Sequence, residues 1–376
     1  MKVVIATGLY PPEIGGPATY AAMLAQELPS QGIEVALVPF GWVRHYPRGV
    51  RHLVYAWKLW RESRGADLFY ALDPISVGLP TRLVAALRRK PYLLRLGGDY
   101  AWEQGRLRFG VTKSLDTHHD NPSDWPWRVK VLAKLQTYVA RHAAQVVVPS
   151  RYLKDIVSRW GIDPRHVSVI YSALYPIEVS ETRDQLRHRL QYSHPTLISA
   201  GRLVPWKGFR TLIRVVAELR EQYPHISLII AGDGEERPAL QDLVAELKLT
   251  DHVRFMGSLS KEALGASIKA ADVFVLNTAY EGLSHQLIEV MDIGTPVVTT
   301  AVGGNPELIH DGVHGFLVPY DDAPALRDAI MRVLNHPESR DRIVQSARGR
   351  SKEFARDRVV ADIVALLQAY VPTNRL

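Results

Sequence analysis

The sequence predicts an α/β protein made of two parallel-sheet domains in tandem, on the strength of three observations. Short β-branched apolar runs alternate with helical patterns across Gly or Pro turns, which is typical of strand–helix–strand units. The chain of 376 residues is 47% hydrophobic, which is enough to build two domains of ordinary size. Val3–Leu28 and Thr196–Leu219 each contain a strand, a glycine-containing loop and an amphipathic helix in the same order.

Twelve apolar runs are predicted as strands, six in each half of the chain. In the first half they are Val3–Thr7, Glu34–Pro39, Leu68–Ala71, Tyr92–Leu96, Gln145–Val148 and Val167–Tyr171. In the second half they are Thr196–Ala200, Ser227–Ala231, Val253–Met256, Val273–Leu276, Pro296–Thr300 and Gly315–Val318. This division predicts two separate sheets, each covered by its own helices.

The polar and charged stretch Ser172–His194 separates the last strand of the first half from the first strand of the second. We therefore predict an N-terminal domain over residues 1–175 and a C-terminal domain over residues 176–376. The final segment, Ser351–Tyr370, has apolar residues at helical spacing. It is predicted to be a helix able to pack on either domain, including back on the N-terminal one.

Charge is divided unevenly between the two halves. Residues 1–175 hold 23 Lys and Arg against 13 Asp and Glu, whereas residues 176–376 hold 23 against 26. A basic first half suggests an anionic partner such as a membrane surface, a lipid phosphate or nucleic acid, with solubility alone as the plain alternative. The chain has no cysteine, no signal-peptide pattern and no apolar run long enough to cross a bilayer, so we expect a cytoplasmic protein.

Glu281 and Glu289 lie eight residues apart in the segment Tyr280–Pro319. Gly282 permits a tight turn and Ser284 suits a helix N-cap, so the first carboxylate is predicted to precede a helix and the second to lie inside it. Backbone amides at a helix start bind phosphate oxygens, and carboxylates accept hydrogen bonds from sugar hydroxyls. For two glutamates alone, an ordinary helix with an acidic first turn is the favoured interpretation.

Two further loops change that balance. Arg202 and Lys207 lie in one loop between a predicted strand and a predicted helix, and such a pair of cations suits a diphosphate leaving group without requiring a metal. Gly232–Gly234 follows the next strand and supplies a turn that brings backbone close to a ligand. These loops therefore suit a ligand that carries a diphosphate beside a sugar, although the glycine turn alone is weak evidence.

In order and composition these residues resemble the retaining glycosyltransferases of family 4, which have the GT-B architecture of two Rossmann-like domains facing across a cleft. The resemblance covers Thr196–Asp321 and includes a pair of glutamates separated by seven residues, a GR(L)xxxKG element and a GDG turn. The matching residues are Glu281, Glu289, Gly201, Arg202, Leu203, Lys207, Gly208, Gly232, Asp233, Gly234, Gly294, Pro296, Gly303, Gly304, Glu307, Gly312 and Gly315. At the N-terminus, PPEIGGPATY resembles the glycine loop of the same family.

The resemblance implies a role for each matching residue at the donor diphosphate and sugar. Arg202 and Lys207 would bind the diphosphate, and Glu281 would contact the donor sugar. The backbone after Gly282, at Leu283 and Ser284, would bind the phosphates through its amides.

The resemblance also implies where the nucleoside binds. Glu289 would bind the ribose hydroxyls, and the backbone around Arg254–Met256 would border the base, near the turn at Gly232. Gly15 and Gly16 of the N-terminal loop would let backbone amides approach the donor. The sequence leaves open whether the nucleotide is UDP or GDP.

One departure from the family pattern lies after the strand Tyr92–Leu96, where many members carry a histidine and this chain has Gly97. Either a backbone carbonyl or the Asp99 carboxylate would then lie beside the anomeric carbon. The alternative for Asp99 is a helix N-cap with Trp102 packed beneath it. By resemblance the reaction is front-face substitution with retention of configuration, and in a double displacement Asp99 would be the nucleophile.

The acceptor side is predicted in the N-terminal domain, by resemblance, with a glycan or a lipid-linked sugar as acceptor. Trp42–Arg64 and Trp125–Lys134 mix basic and aromatic residues, as interfaces with lipid headgroups do. This composition suggests peripheral attachment to an anionic membrane on its inner face. An amphipathic helix with one wet face explains the same composition and is the slightly favoured interpretation.

No metal site and no cofactor other than the nucleotide-sugar donor is predicted. His118 and His119, with Asp116 and Asp120, match metal ligands by residue type. Adjacent histidines point in different directions, however, so a solvated loop is the favoured interpretation.

Three rival functions follow from the same sequence. A nucleotide-sugar epimerase of the same fold would need no acceptor, but the cationic loop with the glutamate pair disfavours it. A basic nucleic-acid-binding protein rests on charge alone, because no known nucleic-acid motif is present. A non-catalytic subunit of glycan assembly would not need a complete donor site.

Overall fold

The computed structural model describes residues 1–13, 15–47, 49–119, 122–192 and 194–371, and for His118 the backbone only. The chain divides into two compact units. The first is formed by Met1–Ala173 with Arg356–Leu376, and the second by Leu174–Ala355. Each unit contains one parallel six-stranded sheet with flanking helices. All twelve predicted strands are present, to within two residues at their ends.

The first sheet has the order β2-β1-β3-β4-β5-β6. Its strands are β1 Lys2–Thr7, β2 Glu34–Pro39, β3 Leu68–Ala71, β4 Tyr92–Arg95, β5 Gln145–Val148 and β6 Val167–Val169. The β3, β4 and β5 strands are buried along their whole length, because helices cover both faces of a parallel sheet. That burial explains why they appear in the sequence as short, largely apolar runs.

In the described part of this unit, seven α-helices connect these strands. They are α1 Gly16–Ser30, α2 Val50–Glu62, α3 Gly78–Arg88, α4 Tyr100–Arg108, α5 Leu115–His118, α6 Trp127–Arg141 and α7 Arg151–Arg159. The α7 helix begins at the N-cap Ser150, whose hydroxyl accepts a hydrogen bond from the Leu153 amide.

The second sheet has the order β12-β11-β10-β7-β8-β9. Its strands are β7 Thr196–Ala200, β8 Ser227–Ala231, β9 Val253–Gly257, β10 Val273–Leu276, β11 Val297–Thr300 and β12 Phe316–Val318. The chain runs outward from β7 to β9 and then returns across β7 to β10, so the direction of strand order reverses beside β7. Ligands of open α/β sheets bind at the carboxyl ends of the strands at such a point.

The second unit begins with α8 Arg183–Leu190, which has a capping box between Thr182 and Gln185. The other helices are α9 Phe209–Gln222, α10 Arg237–Glu246, α11 Lys261–Ala270, α12 His285–Ile293, α13 Asn305–Leu308, α14 Ala323–Asn335 and α15 Pro337–Ser351. The α9, α10 and α14 helices pack on one face of the sheet and form a hydrophobic core with it.

The last helix, α16 Arg356–Ala369, belongs to the first unit. Its Arg356 guanidinium pairs with Glu27 of α1 at 2.5 Å, and the Tyr370 hydroxyl donates to Gln145 Oε1 of β5 at 2.8 Å. Among the residues that the structure describes, no helix combines the length and apolar composition needed to span a bilayer.

Candidate active site

Glycine-containing loops follow four adjacent strands of the second sheet, β7, β8, β10 and β11. Backbone hydrogen bonds join these loops in pairs. The Gly201 amide donates to the Ala231 carbonyl at 2.9 Å, and the Gly304 amide donates to the Glu281 carbonyl at 2.9 Å. The Ala279 amide donates to the Trp206 carbonyl at 2.8 Å and links the two pairs, so the four loops form one continuous rim at the carboxyl edge of the sheet.

Two glycines allow these loops to approach each other so closely. Gly232 has a φ of 127° and Gly303 a φ of 57°, both in the region that favours glycine. A Cβ atom on Gly232 would collide with the Gly201 carbonyl oxygen, and one on Gly303 would collide with that of Glu281. The backbone of the rim is therefore fixed by the absence of side chains at these two positions.

The loop between β7 and α9 presents both predicted cations. Lys207 Nζ donates a hydrogen bond to Glu281 Oε1, and both side chains are about one-fifth exposed, at 18% each. Arg202 is exposed, with its guanidinium 5.7 Å from the centroid of the Trp206 ring. An ammonium held by a carboxylate and an exposed guanidinium are thus available to an anion at this rim.

The α12 helix begins as the sequence predicted. The Ser284 hydroxyl is its N-cap and accepts a hydrogen bond from the Leu287 amide at 3.3 Å. Gly282 and Leu283 precede it and are buried. The positive end of the helix macrodipole lies directly after Glu281, beside the loop that carries Lys207.

Glu289 lies in the second turn of α12 and has a different partner from Glu281. Its carboxylate is 3.2 Å from Lys261 Nζ at the start of α11, and Lys261 also donates to the Tyr175 carbonyl at 3.1 Å. Burial raises the pKa of Glu289, and the charge and hydrogen bond of Lys261 oppose that rise without cancelling it. The two glutamates therefore differ in environment, because Glu281 pairs with Lys207 and Glu289 pairs with Lys261.

Arg254 and Met256 lie on β9, the edge strand beside β8, and both side chains are exposed. Arg254 Nη2 donates to the Gln191 carbonyl at 3.3 Å. The strand reaches the rim at its last residue, because the Gly257 carbonyl accepts from the Gly232 amide at 2.7 Å. Side chains two apart on a strand point to the same side, which groups Arg254 with Met256.

In the first unit, Gly15 and Gly16 form the start of α1, directly after the loop that follows β1. Gly15 is the N-cap, with a φ of 142° and no side chain to satisfy the first amides. Beside it, Glu13 pairs with Arg44. Ile14 of the predicted glycine loop lies outside the described residues.

Asp99 is the N-cap of α4, the alternative that the sequence left open. Its carboxylate is 0% exposed and accepts from the Trp102 amide at 3.0 Å and from Gln136 Nε2 at 2.9 Å, while its other oxygen contacts His119 Nε2 at 2.9 Å. Burial acts to raise the pKa of Asp99, but the His119 contact and the hydrogen bonds from Trp102 and Gln136 outweigh it and hold the pKa below its ordinary value. The geometry supports the capping role, and a role as nucleophile stays a prediction.

The interpretation of His119 as part of a solvated loop is wrong. Its side chain is only 11% exposed because it bonds to Asp99 and lies edge-on to Trp125, with ring centroids 5.4 Å apart. Asp120 and the side chain of His118 lie outside the described residues. Within the described part of the chain, no group of three or more His, Asp or Glu side chains is arranged to hold a metal ion.

Sequence reasoning missed Asp73, which lies just after β3 at the carboxyl edge of the first sheet. Its Oδ1 accepts from the amides of Ile75 at 2.8 Å and Ser76 at 2.5 Å, and burial raises its pKa. Burial of Tyr100, together with the nearby charge of Asp73, raises the pKa of Tyr100. An acidic residue directly after a buried strand was the available signal.

Comparison with solved structures identifies the fold. The crystal structures of Anabaena HepE in complex with UDP and with UDP-glucose match with TM-scores of 0.78 and 0.76, each over 98% of this chain and 100% of that chain, at 18% and 19% identity. The two tandem parallel sheets are the GT-B fold, as the sequence predicted.

The family follows from two sequence profiles that together span most of both units. The profile "Glycosyltransferase Family 4" matches residues 14–174, and "Glycosyl transferases group 1" matches residues 181–350. The chain belongs to the group 1, family 4 glycosyltransferases.

Two curated relatives show how far the similarity extends. Alpha-D-kanosaminyltransferase of Streptomyces kanamyceticus is 34% identical over 218 residues, 56% of this chain and 56% of that protein. An uncharacterised glycosyltransferase of Methanocaldococcus jannaschii is 28% identical over 379 residues, 93% of each chain. The chain thus matches little more than half the length of the first relative and nearly all of the second.

Proposed function

We propose that this protein transfers a glycosyl group from a UDP- or GDP-sugar to a glycan or lipid-linked acceptor, with retention of anomeric configuration. The observation that carries the proposal is the rim of the second unit, where two cations, a helix N-terminus and closely packed glycine turns meet. Those are the groups that a sugar diphosphate requires of its site. The matches to glycosyltransferases, and to HepE with bound UDP, support the same assignment.

The leaving diphosphate would be held by Arg202, Lys207 and the first amides of α12. Lys207 pairs with Glu281. A diphosphate oxygen would take over one side of the ammonium, leaving the Glu281 carboxylate available to a donor sugar hydroxyl. These positive groups would neutralise the charge that grows on the diphosphate, so the proposal needs no metal ion.

The nucleoside would lie farther along the same rim. Glu289 would accept hydrogen bonds from the ribose hydroxyls, for which its carboxylate must be ionised. The base would border Arg254–Met256, beside the Gly232 turn. Gly15 and Gly16 would offer the amides at the start of α1 to the donor.

The proposed reaction is a front-face substitution. The bond between the anomeric carbon and the diphosphate oxygen breaks, and the acceptor oxygen forms its bond to that carbon on the same face. The acceptor hydroxyl proton passes to the departing phosphate oxygen, so neither a covalent intermediate nor a protein base is needed. The protein would orient the reactants and stabilise the leaving charge.

Donor binding and its pH dependence test the site. The correct nucleotide sugar raises Tm, because a ligand at a hundred times its Kd stabilises the folded state by about 2.7 kcal/mol. Glu289→Gln should lose most of that rise. As the pH is lowered, the affinity of the native protein for the nucleotide sugar should decrease. Because burial raises the pKa of Glu289, this decrease should begin at a higher pH than it would with a glutamate of ordinary pKa.

The control for this experiment is Glu246→Gln, a change at an exposed residue near the end of α10. It should keep both the Tm rise and the pH dependence. If Glu289→Gln binds every nucleotide sugar as the native protein does, with an unchanged pH profile, the assignment of this glutamate is wrong.

Asp99→Asn separates the two mechanisms. Asparagine is a good N-cap and retains an oxygen for the Trp102 amide, so front-face substitution predicts a folded enzyme with kcat within about tenfold of the native value. A nucleophilic Asp99 predicts instead a loss of about 10⁴-fold or more. Steady-state kinetics with thermal unfolding as the folding control decides between them.

A further inference from the structure

Exposed apolar side chains are concentrated on one unit. Of the fourteen large hydrophobic side chains that are exposed among the described residues, twelve lie between positions 42 and 138. The most exposed are Leu53 at 75%, Leu87 at 72%, Trp127 at 69% and Trp57 at 57%. A concentration of this kind marks a surface that contacts another apolar phase or molecule.

Sheet topology places the helices that carry them side by side. The connections from β2 to β3, β3 to β4 and β4 to β5 all move across the sheet in the same direction, and right-handed crossovers then put α2, α3 and α6 on one face. Contacts agree with this placement. Arg88 of α3 lies 3.6 Å from the Trp60 ring centroid of α2, and Arg82 of α3 lies 5.9 Å from that of Tyr138 of α6.

Within this layer, the α2 helix turns an apolar stripe to solvent. Val50, Leu53, Trp57 and Trp60 are spaced by three or four residues, which places them along one side of a helix. All four are exposed, whereas Tyr55 and Leu59 on the opposite side are buried. A helix on the surface of a soluble protein normally has the reverse arrangement, with polar residues toward solvent and apolar residues toward the core.

The same helices are strongly basic. Together α2, α3 and α6 contain nine Lys or Arg residues and a single acidic residue, Glu62. Several cations lie against the exposed rings. Arg61 is 5.4 Å from the Trp57 ring centroid, and Arg128 is 5.3 Å from that of Trp127. Tryptophan beside Lys and Arg is the composition found where proteins meet lipid headgroups.

We propose that the basic aromatic face, formed by α2, α3 and α6, docks on an anionic lipid bilayer. The exposed apolar residues would enter the headgroup region while the cations meet lipid phosphates. A second copy of the chain is the wrong occupant, because it would bring the same nine cations against this face. The inference does not depend on the proposed chemistry of the second unit.

Vesicle binding tests the proposal. The native protein should sediment with vesicles of equal parts phosphatidylglycerol and phosphatidylcholine at low salt, and much less with phosphatidylcholine alone. Added salt should weaken the binding, because it screens the charges. Absence of sedimentation with the anionic vesicles, or equal binding to the neutral ones, would overturn the proposal.

Two sets of variants locate the binding on this face. The triple variant Leu53→Gln, Trp57→Gln and Leu87→Gln removes exposed apolar groups only, and should weaken anionic vesicle binding by about 100-fold. The double variant Arg128→Gln and Lys134→Gln should weaken it by about 30-fold. The matched charge control, Arg332→Gln and Arg342→Gln on exposed positions of the second unit, should bind as the native protein does.

Folding and oligomeric state complete the test. Both test variants should keep the native Tm and the Tm rise given by a nucleotide sugar, since they lie outside the donor site. If the charge control loses as much binding as the α6 double variant, net charge rather than this face is responsible, and the proposal fails. It also fails if the native protein is a dimer, without affinity for vesicles, that the triple variant converts to a monomer.

Discussion

Lys207→Ala is expected to lower kcat/KM by about 10²–10³-fold, the effect of removing one group that stabilises developing negative charge in a partly buried site. The Lys207 ammonium is held by Glu281 and is only 18% exposed, so its attraction for a diphosphate is less screened than that of a surface lysine. The variant also leaves the Glu281 carboxylate without this cation, close to where phosphate would bind. Both effects make the developing negative charge on the departing nucleotide less stable.

Steady-state kinetics distinguishes the stages at which Lys207 acts. Loss of kcat together with kcat/KM indicates an interaction made in the transition state, whereas a rise in KM alone indicates only donor binding. Lys352→Ala, at an exposed lysine of the same unit, is the control and should leave both parameters unchanged. A Lys207→Ala enzyme within threefold of native kcat/KM would remove this residue from the donor site.

Most of the fold was predictable because burial shapes the sequence of a parallel sheet. Strands covered on both faces must be apolar throughout, so β3, β8 and β10 stand out as short continuous runs. The Ser284 cap was predictable for a related reason, because the rule for helix starts is local. Ends of strands were less certain, since β6 stops at Val169 rather than Tyr171.

Contacts between residues far apart in sequence were not predictable from pattern. His119 and Asp99 are twenty residues apart with α4, a short loop and α5 between them, and no spacing rule indicates that they bond. The sequence left two alternatives for Asp99, a helix N-cap or a group beside the anomeric carbon. The hydrogen bonds that its carboxylate accepts from Trp102 and Gln136 support the N-cap. The amphipathic pattern of α16 likewise predicted a helix but did not reveal that α1 is its partner.

The residue that most clearly joins distant segments of the second unit was also not identified in advance. Asp272 lies directly before β10 and has a side chain only 3% exposed. Its carboxylate accepts from Arg183 at 2.5 Å, from Arg187 at 3.1 Å and from the Thr196 amide at 2.7 Å, and lies 3.1 Å from His194 Nδ1. One side chain thereby ties α8 and the start of β7 to β10.

Asp272→Ala is expected to cost about 3–5 kcal/mol of stability, because removing one partner of a buried charge network leaves the others unpaired. Arg187, 16% exposed, would keep its charge without this carboxylate. For a unit of this size, the expected fall in Tm is about 6–20 °C. Glu181→Ala, which removes the partner of Arg189 in an exposed pair of the same region, is the matched control and should leave Tm nearly unchanged.

The pH dependence of this loss gives a second, independent measurement. Burial acts to raise the pKa of Asp272, but the Thr196 amide and the charges of Arg183 and Arg187 outweigh it, and the folded-state pKa is lowered. Its contribution is therefore complete above the ordinary pKa of an unfolded aspartate and is lost as pH falls through the folded-state value. Native and Asp272→Ala proteins should differ most in Tm near neutral pH and converge in acid, and a difference that persists unchanged into strong acid would show that packing, not charge, is what the substitution removes.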